Sequence, residues 1–169
     1  MYNSRKIEDL RPDVAANCRM WLALCREAGL NVLVTGTVRD AEYQMQCYQN
    51  GTSRAKKPAF HAQGIGLAFD FCKNVKGQEY ADLDFFRRAG EIGEKIGFEW
   101  GGRWKSFPDR PHLQWSQGGR DTSSMILAGQ RPPQMPLYQK KEEDDMTKED
   151  VQKLVEDAVA AAQPRVYTD

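Results

Sequence analysis

The chain has 169 residues, of which 40% are hydrophobic and 28% are charged, as expected of one globular domain with a short appendage. Its 24 basic residues equal its 24 acidic residues, so the charge balance predicts no nucleic-acid partner. The sequence has no apolar run long enough for a membrane span. The residues after Met1 lack the apolar core of a signal peptide, so we expect synthesis in the cytoplasm without a signal peptide.

The first part of the chain predicts two helices separated by a strand. Pro12 opens a helix with a broad apolar face that ends before Gly29. The β-branched residues 31–37 predict a strand, and a second helix is expected over residues 40–48. The polar and basic residues 52–58 then predict a loop.

The next part predicts two further strands around a third helix. Residues 67–71 form a short apolar run that predicts a strand, with Asp70 inside it. Asp82 caps a helix to residue 96, whose candidate core residues are Leu83, Phe86, Ala89, Ile92 and Ile96. Residues 100–104 predict a glycine turn, and residues 112–115 a last strand. Because these elements form no regular βαβ repeat, the expected fold class is α+β.

The composition changes after Gly118, which predicts a domain boundary. We expect a first domain over residues 1–120 and a proline-rich, charged linker over residues 121–146. A capping box formed by Thr147 and Asp150 predicts an amphipathic helix over residues 147–163, followed by a tail over residues 164–169. This helix could dock onto the domain, associate with a second copy or precede a further module; we favour docking or self-association.

The two histidines of the chain each have an aspartate nearby. His61 precedes Asp70 by nine residues, and His112 follows Asp109 by three. Two imidazoles and one carboxylate can hold a catalytic zinc ion that keeps a fourth position for water. A second carboxylate can take the proton from this water, and Asp109 suits that role. Asp70 supports a site here because a carboxylate in an apolar strand needs a partner.

Other interpretations of these residues remain open. The histidines could be ordinary core or surface residues, and spacing alone does not decide between that interpretation and a metal site. The four cysteines form no C-x-x-C pair and are expected to be free, buried thiols. A cysteine peptidase would need the same histidines as the metal site. Ser53 and Ser106 have no visible histidine and acid partner, so a serine hydrolase is unsupported.

Four segments of the chain, in order, resemble the zinc D-alanyl-D-alanine carboxypeptidase family: GTVRDAEYQ, FHAQGIGLAFDF, WGGRW and DRPHLQW. The chain is most similar to the branch that contains phage endolysins acting as L-alanyl-D-glutamate endopeptidases. The resemblance covers residues 3–117. It implies an α+β domain in which a small antiparallel sheet, flanked by helices, carries one catalytic zinc ion.

The resemblance also implies roles for particular residues. His61, Asp70 and His112 would bind the zinc ion, and Asp109 would be the general base. Carboxypeptidase members usually have glutamate at the base position, whereas the endolysin branch has aspartate. Asp109 therefore favours the endopeptidase branch.

Further candidate residues would contact the substrate. Arg39 and Gln44 match the family's R-x-x-x-x-Q element. Arg39 would hold a substrate carboxylate or the developing oxyanion, and Gln44 would orient Arg39 or cap a turn. The remaining candidates could line a groove for a peptide: Trp100, Trp104 and Trp115.

The sequence departs from the family pattern in one spacing. The family usually has seven residues from its first histidine ligand to the aspartate, and counting back from Asp70 places Gln63 at that position. Either two residues are inserted and His61 still binds the metal, or the first ligand is lost. Because glutamine is a poor zinc ligand, we expect the insertion.

The resemblance implies a zinc peptidase that hydrolyses the stem peptide of peptidoglycan, at the bond between L-Ala and D-Glu. One alternative is a D-Ala-D-Ala carboxypeptidase or dipeptidase with the same site. Another is a non-catalytic, cell-wall-binding module that retains the zinc ion. The expected place of action is the bacterial cell wall, reached after holin-type release from the cytoplasm.

Overall fold

A four-stranded antiparallel sheet forms the centre of the first part of the chain. The computed structural model describes residues 1–141, 152–153 and 155–157. The strands lie in the order β1–β2–β4–β3 and comprise the following residues: β1 Val32–Gly36, β2 Ala68–Lys73, β3 Glu99–Trp100 and β4 His112–Gln114. The α-helices are α1 Pro12–Glu27, α2 Ala41–Gln49, α3 Leu83–Ile96 and α4 Ser123–Leu127. This architecture confirms the expected α+β class with a small antiparallel sheet.

One face of the sheet packs against α1 and α3. The indole ring of Trp21 on α1 lies 5.2 Å from the ring of Phe69 and 4.8 Å from that of Phe71, both on β2. The Trp21 indole nitrogen also donates a hydrogen bond to the carbonyl oxygen of Ala89 on α3 at 2.8 Å. Because side chains alternate along a strand, Asp70 points to the opposite face, away from these helices.

The register of the short strands places more polar residues on the face that carries Asp70. Asp70 pairs directly with His112, and Glu99 pairs with Gln114. His112 and Gln114 are two residues apart on β4, so their side chains share a face. The intervening Leu113 is fully buried in the core.

Most predicted elements lie close to their expected positions, and the differences have simple causes. The strand β3 was not expected because two residues are too few to show an alternating pattern. Asp82 caps α3 as expected, through a 3.0 Å hydrogen bond from the Phe85 nitrogen to its carboxylate. Leu83 was wrongly assigned to the core: it is 58% exposed at the first turn of the helix.

The chain after β4 differs from the expected linker that begins at residue 121. Residues 1–138 form one unit, and residues 139–169 form a second. The side chains of Ile126 on α4 and of Met135 are both buried in the core of the first unit. Prolines disfavour helices and strands in this segment, but they do not prevent its apolar side chains from packing into the core.

The segment over residues 131–138, which we call the strap, is held mainly through its backbone. The Arg11 guanidinium donates to the carbonyl oxygens of Pro132 and Pro133 at 2.9 and 2.8 Å. The buried Asn17 donates to the carbonyl oxygen of Pro136 and accepts from the Tyr138 nitrogen, each at 2.9 Å. Side chains near the start of α1 and within it therefore supply the hydrogen bonds that a strand partner would otherwise make.

Only part of the predicted C-terminal helix falls within the described residues. Residues 152–153 and 155–157 are helical and exposed. The rest of the helix expected over residues 147–163, the tail over residues 164–169 and most of the charged block lie outside the described residues. Among the residues that the structure describes, no helix has both the length and the apolar character needed to cross a bilayer.

Candidate metal centre

Three predicted ligands meet on the polar face of the sheet. Asp70 and His112 are neighbours on β2 and β4, and His61 enters from the loop between α2 and β2. The Asp70 Oδ1 atom lies 3.3 Å from His61 Nε2 and 3.1 Å from His112 Nδ1. The two ring nitrogens are 3.2 Å apart. Both histidines are buried and Asp70 is half-buried.

The second nitrogen of each imidazole ring is fixed by a hydrogen-bond acceptor. His61 Nδ1 donates to the carbonyl oxygen of Thr37 at 2.7 Å. His112 Nε2 lies 2.8 Å from the side-chain oxygen of Gln114, whose amide nitrogen donates to Glu99 at 2.7 Å. These acceptors place the ring protons on the outer nitrogens, so two nitrogen lone pairs face the Asp70 carboxylate.

This arrangement fits a zinc ion. Tetrahedral zinc with bonds of about 2.0 to 2.1 Å holds its ligand atoms about 3.3 Å apart. The three distances among His61, Asp70 and His112 are 3.1, 3.2 and 3.3 Å. Three converging lone pairs repel one another unless a cation lies among them. The group therefore has the donor chemistry and the spacing of a three-ligand zinc site.

The local charges favour the ligating form of two of these groups. Burial acts to raise the pKa of Asp70, but the adjacent imidazoles of His61 and His112 outweigh burial and hold this pKa well below its usual value. Burial lowers the pKa of His61. Burial also acts to lower the pKa of His112, but the hydrogen bond and the charge of Asp70 outweigh it and raise that pKa. An ionised carboxylate and a neutral imidazole are the forms that bind a metal.

Asp109 lies beside this group in the loop that leads into β4. Its backbone nitrogen donates to the carbonyl oxygen of Gly101 at 2.9 Å, and its carbonyl oxygen accepts from the His112 nitrogen at 3.3 Å. A Cβ atom at Gly101 would overlap the carbonyl oxygen of Asp109, so this close approach requires glycine. Burial raises the pKa of the Asp109 carboxyl.

Arg39 approaches the group from the other side of Asp70. Its Nη2 atom lies 3.7 Å from Asp70 Oδ2, and its buried Nε atom has no hydrogen-bond partner among the described residues. The Arg39 backbone nitrogen donates to the carbonyl oxygen of His61 at 2.8 Å. Arg39 therefore holds the His61 loop through its backbone and has a donor available near Asp70.

The amide nitrogen of Gln44 binds the loop after α2 and not Arg39, which one interpretation of the sequence expected it to orient. Gln44 is 2% exposed, and its amide nitrogen donates to the carbonyl oxygen of Ala55 at 2.6 Å and to Ser53 Oγ at 2.9 Å. These bonds attach the loop after α2 to the helix. Gln44 also lines the cleft described next.

A cleft extends to both sides of the candidate metal group. Arg39 and Asp109 line both halves. One half continues past the two histidines, and its further lining residues include Lys57, Phe60 and Trp104. The other half passes Asp70, and its further lining residues include Asn3, Arg5, Thr35 and Tyr80. Cleft space therefore lies on both sides of the metal group.

The three candidate tryptophans occupy different places. Trp104 lines the cleft, with its ring centroid 5.2 Å from that of His112. Trp100 and Trp115 are buried in the core and do not line either half of the cleft, so the structure corrects their assignment to substrate binding. Strand alternation explains both positions, because Trp100 pairs with the core residue Leu113 and Trp115 lies two residues beyond it.

The structure places His61 in the metal group despite the unusual spacing and adds residues that the sequence analysis missed. His61 joins the metal group, whereas Gln63 is exposed. The supporting residues Thr37, Glu99 and Gln114 were not predicted. Gln114 could have been found, since it is two residues from His112 on a predicted strand and must share its face. The contribution of Thr37 comes from its backbone and has no sequence signal.

Comparisons with known proteins agree with this type of site. A family model described as D-alanyl-D-alanine carboxypeptidase matches residues 53–115. The peptidoglycan L-alanyl-D-glutamate endopeptidase CwlK of Bacillus subtilis (strain 168) is 31% identical over 122 residues, which cover 63% of this chain and 73% of that protein. The L-alanyl-D-glutamate peptidase of Listeria phage A118 is 31% identical over 133 residues, which cover 73% of this chain and 45% of that protein.

A solved structure shows the same fold. The L-Ala D-Glu endopeptidase ChiX of Serratia marcescens superimposes with a TM-score of 0.52 at 25% sequence identity, covering 72% of this chain and 93% of that one. The fold and these relationships define a zinc metallopeptidase, and His61, Asp70 and His112 form a group that could hold its metal ion. This chain belongs to the D-alanyl-D-alanine carboxypeptidase family, among relatives that are L-alanyl-D-glutamate endopeptidases.

Proposed function

We propose that this protein is a peptidoglycan endopeptidase that hydrolyses the bond between L-Ala and D-Glu in the stem peptide. The observation that carries the proposal is the group of His61, Asp70 and His112 beside Asp109, with cleft space on both sides of the group. An endopeptidase needs such a cleft because its substrate continues beyond both ends of the scissile bond. The named relatives support the choice of bond.

His61, Asp70 and His112 would hold the zinc ion. When bound, zinc supplies a Lewis acid that polarises the scissile carbonyl and acidifies water. Asp109 would accept the proton from the attacking water and deliver it to the leaving amine nitrogen. Its position is set by the backbone hydrogen bonds with Gly101 and His112.

Arg39 would bind an anionic group of the substrate. Its buried Nε atom has no hydrogen-bond partner among the described residues, and a buried donor without a partner is costly. A stem-peptide carboxylate, or the oxyanion that develops during hydrolysis, would complete its hydrogen bonding. Trp104 and Gln44 line the same half of the cleft and would contact the peptide there.

Mass spectrometry of purified peptidoglycan fragments tests the reaction. The zinc-loaded protein should release fragments with new D-Glu amino termini, and a sample treated with a chelator should not. Loss of only a terminal D-Ala would instead identify a D-Ala-D-Ala carboxypeptidase, as the description of the matching family model allows. No metal-dependent product from several wall types would favour a cell-wall-binding module that retains zinc.

The variant Asp109→Asn separates hydrolysis from metal binding. An amide has nearly the same shape as the carboxylate but cannot act as a base at neutral pH. We expect turnover to fall by at least about 100-fold, the lower range for a positioned base, while zinc binding is retained. Unchanged release of fragments by this variant would contradict the role of Asp109.

The phage relative supports a proposal for how the protein reaches its substrate. We propose action on the bacterial cell wall after holin-type release from the cytoplasm. Expression in a bacterial host should lyse the cells only when a holin is expressed with it. Lysis without the holin would contradict this route.

A further inference from the structure

Three hydrogen-bond donors converge on the carboxylate of Glu99. The Gln114 amide nitrogen donates to Glu99 Oε2 at 2.7 Å, and Ser116 Oγ donates to the same oxygen. The Trp104 indole nitrogen donates to Glu99 Oε1 at 2.9 Å. Glu99 is half-buried and pairs with Gln114 across β3 and β4. The carboxylate is therefore connected both to the support of His112 and to a wall of the cleft.

The carboxylate determines which end of the Gln114 amide faces His112. An ionised carboxylate can only accept hydrogen bonds, so Gln114 must turn its NH₂ group toward Glu99. Its oxygen then faces His112 Nε2, at 2.8 Å. An oxygen acceptor at this position requires the proton of a neutral imidazole to lie on Nε2. His112 Nδ1 is thereby left with its lone pair directed at Asp70 and His61.

We propose that Glu99 is a positioning residue of the zinc centre, acting on His112 through Gln114. Outer hydrogen-bond partners commonly fix the ring orientation and tautomer of a histidine ligand, often with a carboxylate in direct contact with the ring. Here the Gln114 amide lies between the Glu99 carboxylate and the His112 ring. Because the carboxylate accepts from the amide NH₂ group, the amide oxygen faces the ring. The inference rests on the zinc centre of the proposed function but not on the identity of the scissile bond.

We call the chain of hydrogen bonds from Glu99 through Gln114 to His112 the relay. The variant Glu99→Gln tests it, because it replaces a carboxylate, which only accepts hydrogen bonds, with an amide. The new amide at position 99 can donate toward Gln114, which allows Gln114 to turn its own NH₂ group toward His112. The proton then moves to Nδ1 and blocks the ligand atom. We expect zinc affinity to fall by about 10- to 100-fold, the usual effect of losing an outer partner, measured by competition with a chromophoric chelator.

A second single variant and its combination with the first provide the decisive comparison. Gln114→Glu alone places two carboxylates side by side and should also weaken zinc binding. In the double variant Glu99→Gln with Gln114→Glu, the amide at position 99 donates to the carboxylate at position 114. That carboxylate again accepts from His112 Nε2. We expect zinc affinity within about threefold of the parent, since a carboxylate supports a histidine ligand well.

A matched control separates the relay from a general loss of charge. Glu94 on α3 forms an ion pair with Arg103 at 3.0 Å near the surface, whereas the side chains of Gln114 and Trp104 donate their hydrogen bonds to Glu99. Glu94→Gln makes the same chemical change without touching the relay, so zinc affinity should not change. Cobalt substitution gives a second measurement, because the absorption spectrum of bound Co²⁺ reports its ligand geometry.

Two results would overturn the proposal. One is parental zinc affinity and an unaltered cobalt spectrum in a folded Glu99→Gln variant. The other is a double variant that is folded but binds zinc no better than Gln114→Glu; this comparison decides the matter even if Glu99→Gln does not fold. A parent protein that binds zinc but cleaves no peptidoglycan would refute the proposed function and leave the relay intact.

Discussion

The two histidines that face Asp70 are supported in different ways. His61 lies in a loop, and its outer nitrogen donates to a backbone carbonyl, that of Thr37. His112 lies on a strand, and its outer nitrogen meets the side chain of Gln114, which Glu99 orients. The path of the chain therefore fixes the first ligand, whereas side-chain chemistry fixes the second. Substitution of a supporting side chain should therefore change zinc affinity only on the His112 side.

The largest effect should come from removing either ligand. His61→Ala and His112→Ala each leave only one imidazole and the Asp70 carboxylate, so we expect zinc affinity to fall by more than about 100-fold, beyond the loss of an outer partner. The two losses of zinc affinity should be similar, because each variant removes one imidazole ligand. The two histidines differ only in the groups that hold their outer nitrogens. Metal content after dialysis against a weak chelator measures the effect.

The control for His61→Ala is Gln63→Ala. Gln63 occupies the usual ligand spacing before Asp70, but it is exposed, so this variant should retain its zinc. Parental zinc content in His61→Ala, together with loss of zinc in Gln63→Ala, would show that the two-residue insertion had been interpreted wrongly.

A smaller effect is expected from Gly101→Ala, which acts on Asp109. The new methyl group would overlap the Asp109 carbonyl oxygen, so the loop must shift. A displacement of about 1 Å in a reacting group can reduce turnover by about 100-fold, while zinc binding should persist. Steady-state hydrolysis of a stem-peptide substrate gives the loss in kcat.

A double variant shows whether Gly101 acts through Asp109. If it does, adding Gly101→Ala to Asp109→Asn should cause little further loss of turnover, because the two changes affect one group. Fully multiplicative losses would show that Gly101 serves another part of the site.

The smallest effect is expected on the His61 side, from Thr37→Val. The Thr37 hydroxyl is buried and has no hydrogen-bond partner among the residues that the structure describes, whereas its carbonyl oxygen holds His61. Valine keeps the shape and the carbonyl, so zinc affinity should not change. Thermal unfolding should show stability equal to the parent or about 1 kcal/mol higher, since an unpaired polar group is removed.

Chelator competition on Thr37→Val tests the difference between the supports of His61 and His112. A fall in the zinc affinity of Thr37→Val as large as that of Glu99→Gln would mean that side chains support both histidines. The contrast between the two sides of the metal group would then be wrong.

Much of the fold and of the candidate site could be predicted from residue type and local sequence pattern. The short apolar run over residues 67–71 and the short segment over residues 112–115 were enough to predict the strands of Asp70 and His112, and the structure places these residues side by side. The position of His61 required the fold, because no periodicity fixes where a loop residue lies. Glu99 escaped prediction because its strand has two residues, so its pairing with Gln114 is visible only in three dimensions.

The errors about the tryptophans and the linker have a common origin. The composition of a segment shows what kind of contacts its residues can make. It does not show which face of a sheet an aromatic residue lies on, or whether a proline-rich segment packs against the domain. Trp100 faces the core because of its position in β3, and Trp115, one residue beyond β4, is also buried in the core. Residues 121–138 stay with the first unit because Arg11 and Asn17 supply hydrogen-bond partners that the sequence alone does not pair with them.

The strap sets a practical limit for protein engineering. Every residue of the candidate site precedes Trp115, yet Met135, 2% exposed, still fills the core, and the carbonyl oxygen of Pro133 accepts from the Trp115 indole at 2.8 Å. A domain excised just after the last strand would retain all its chemistry and lose part of its interior. Exchange of this domain between chimaeric lysins should therefore join the partner sequence after Tyr138, where the first unit ends.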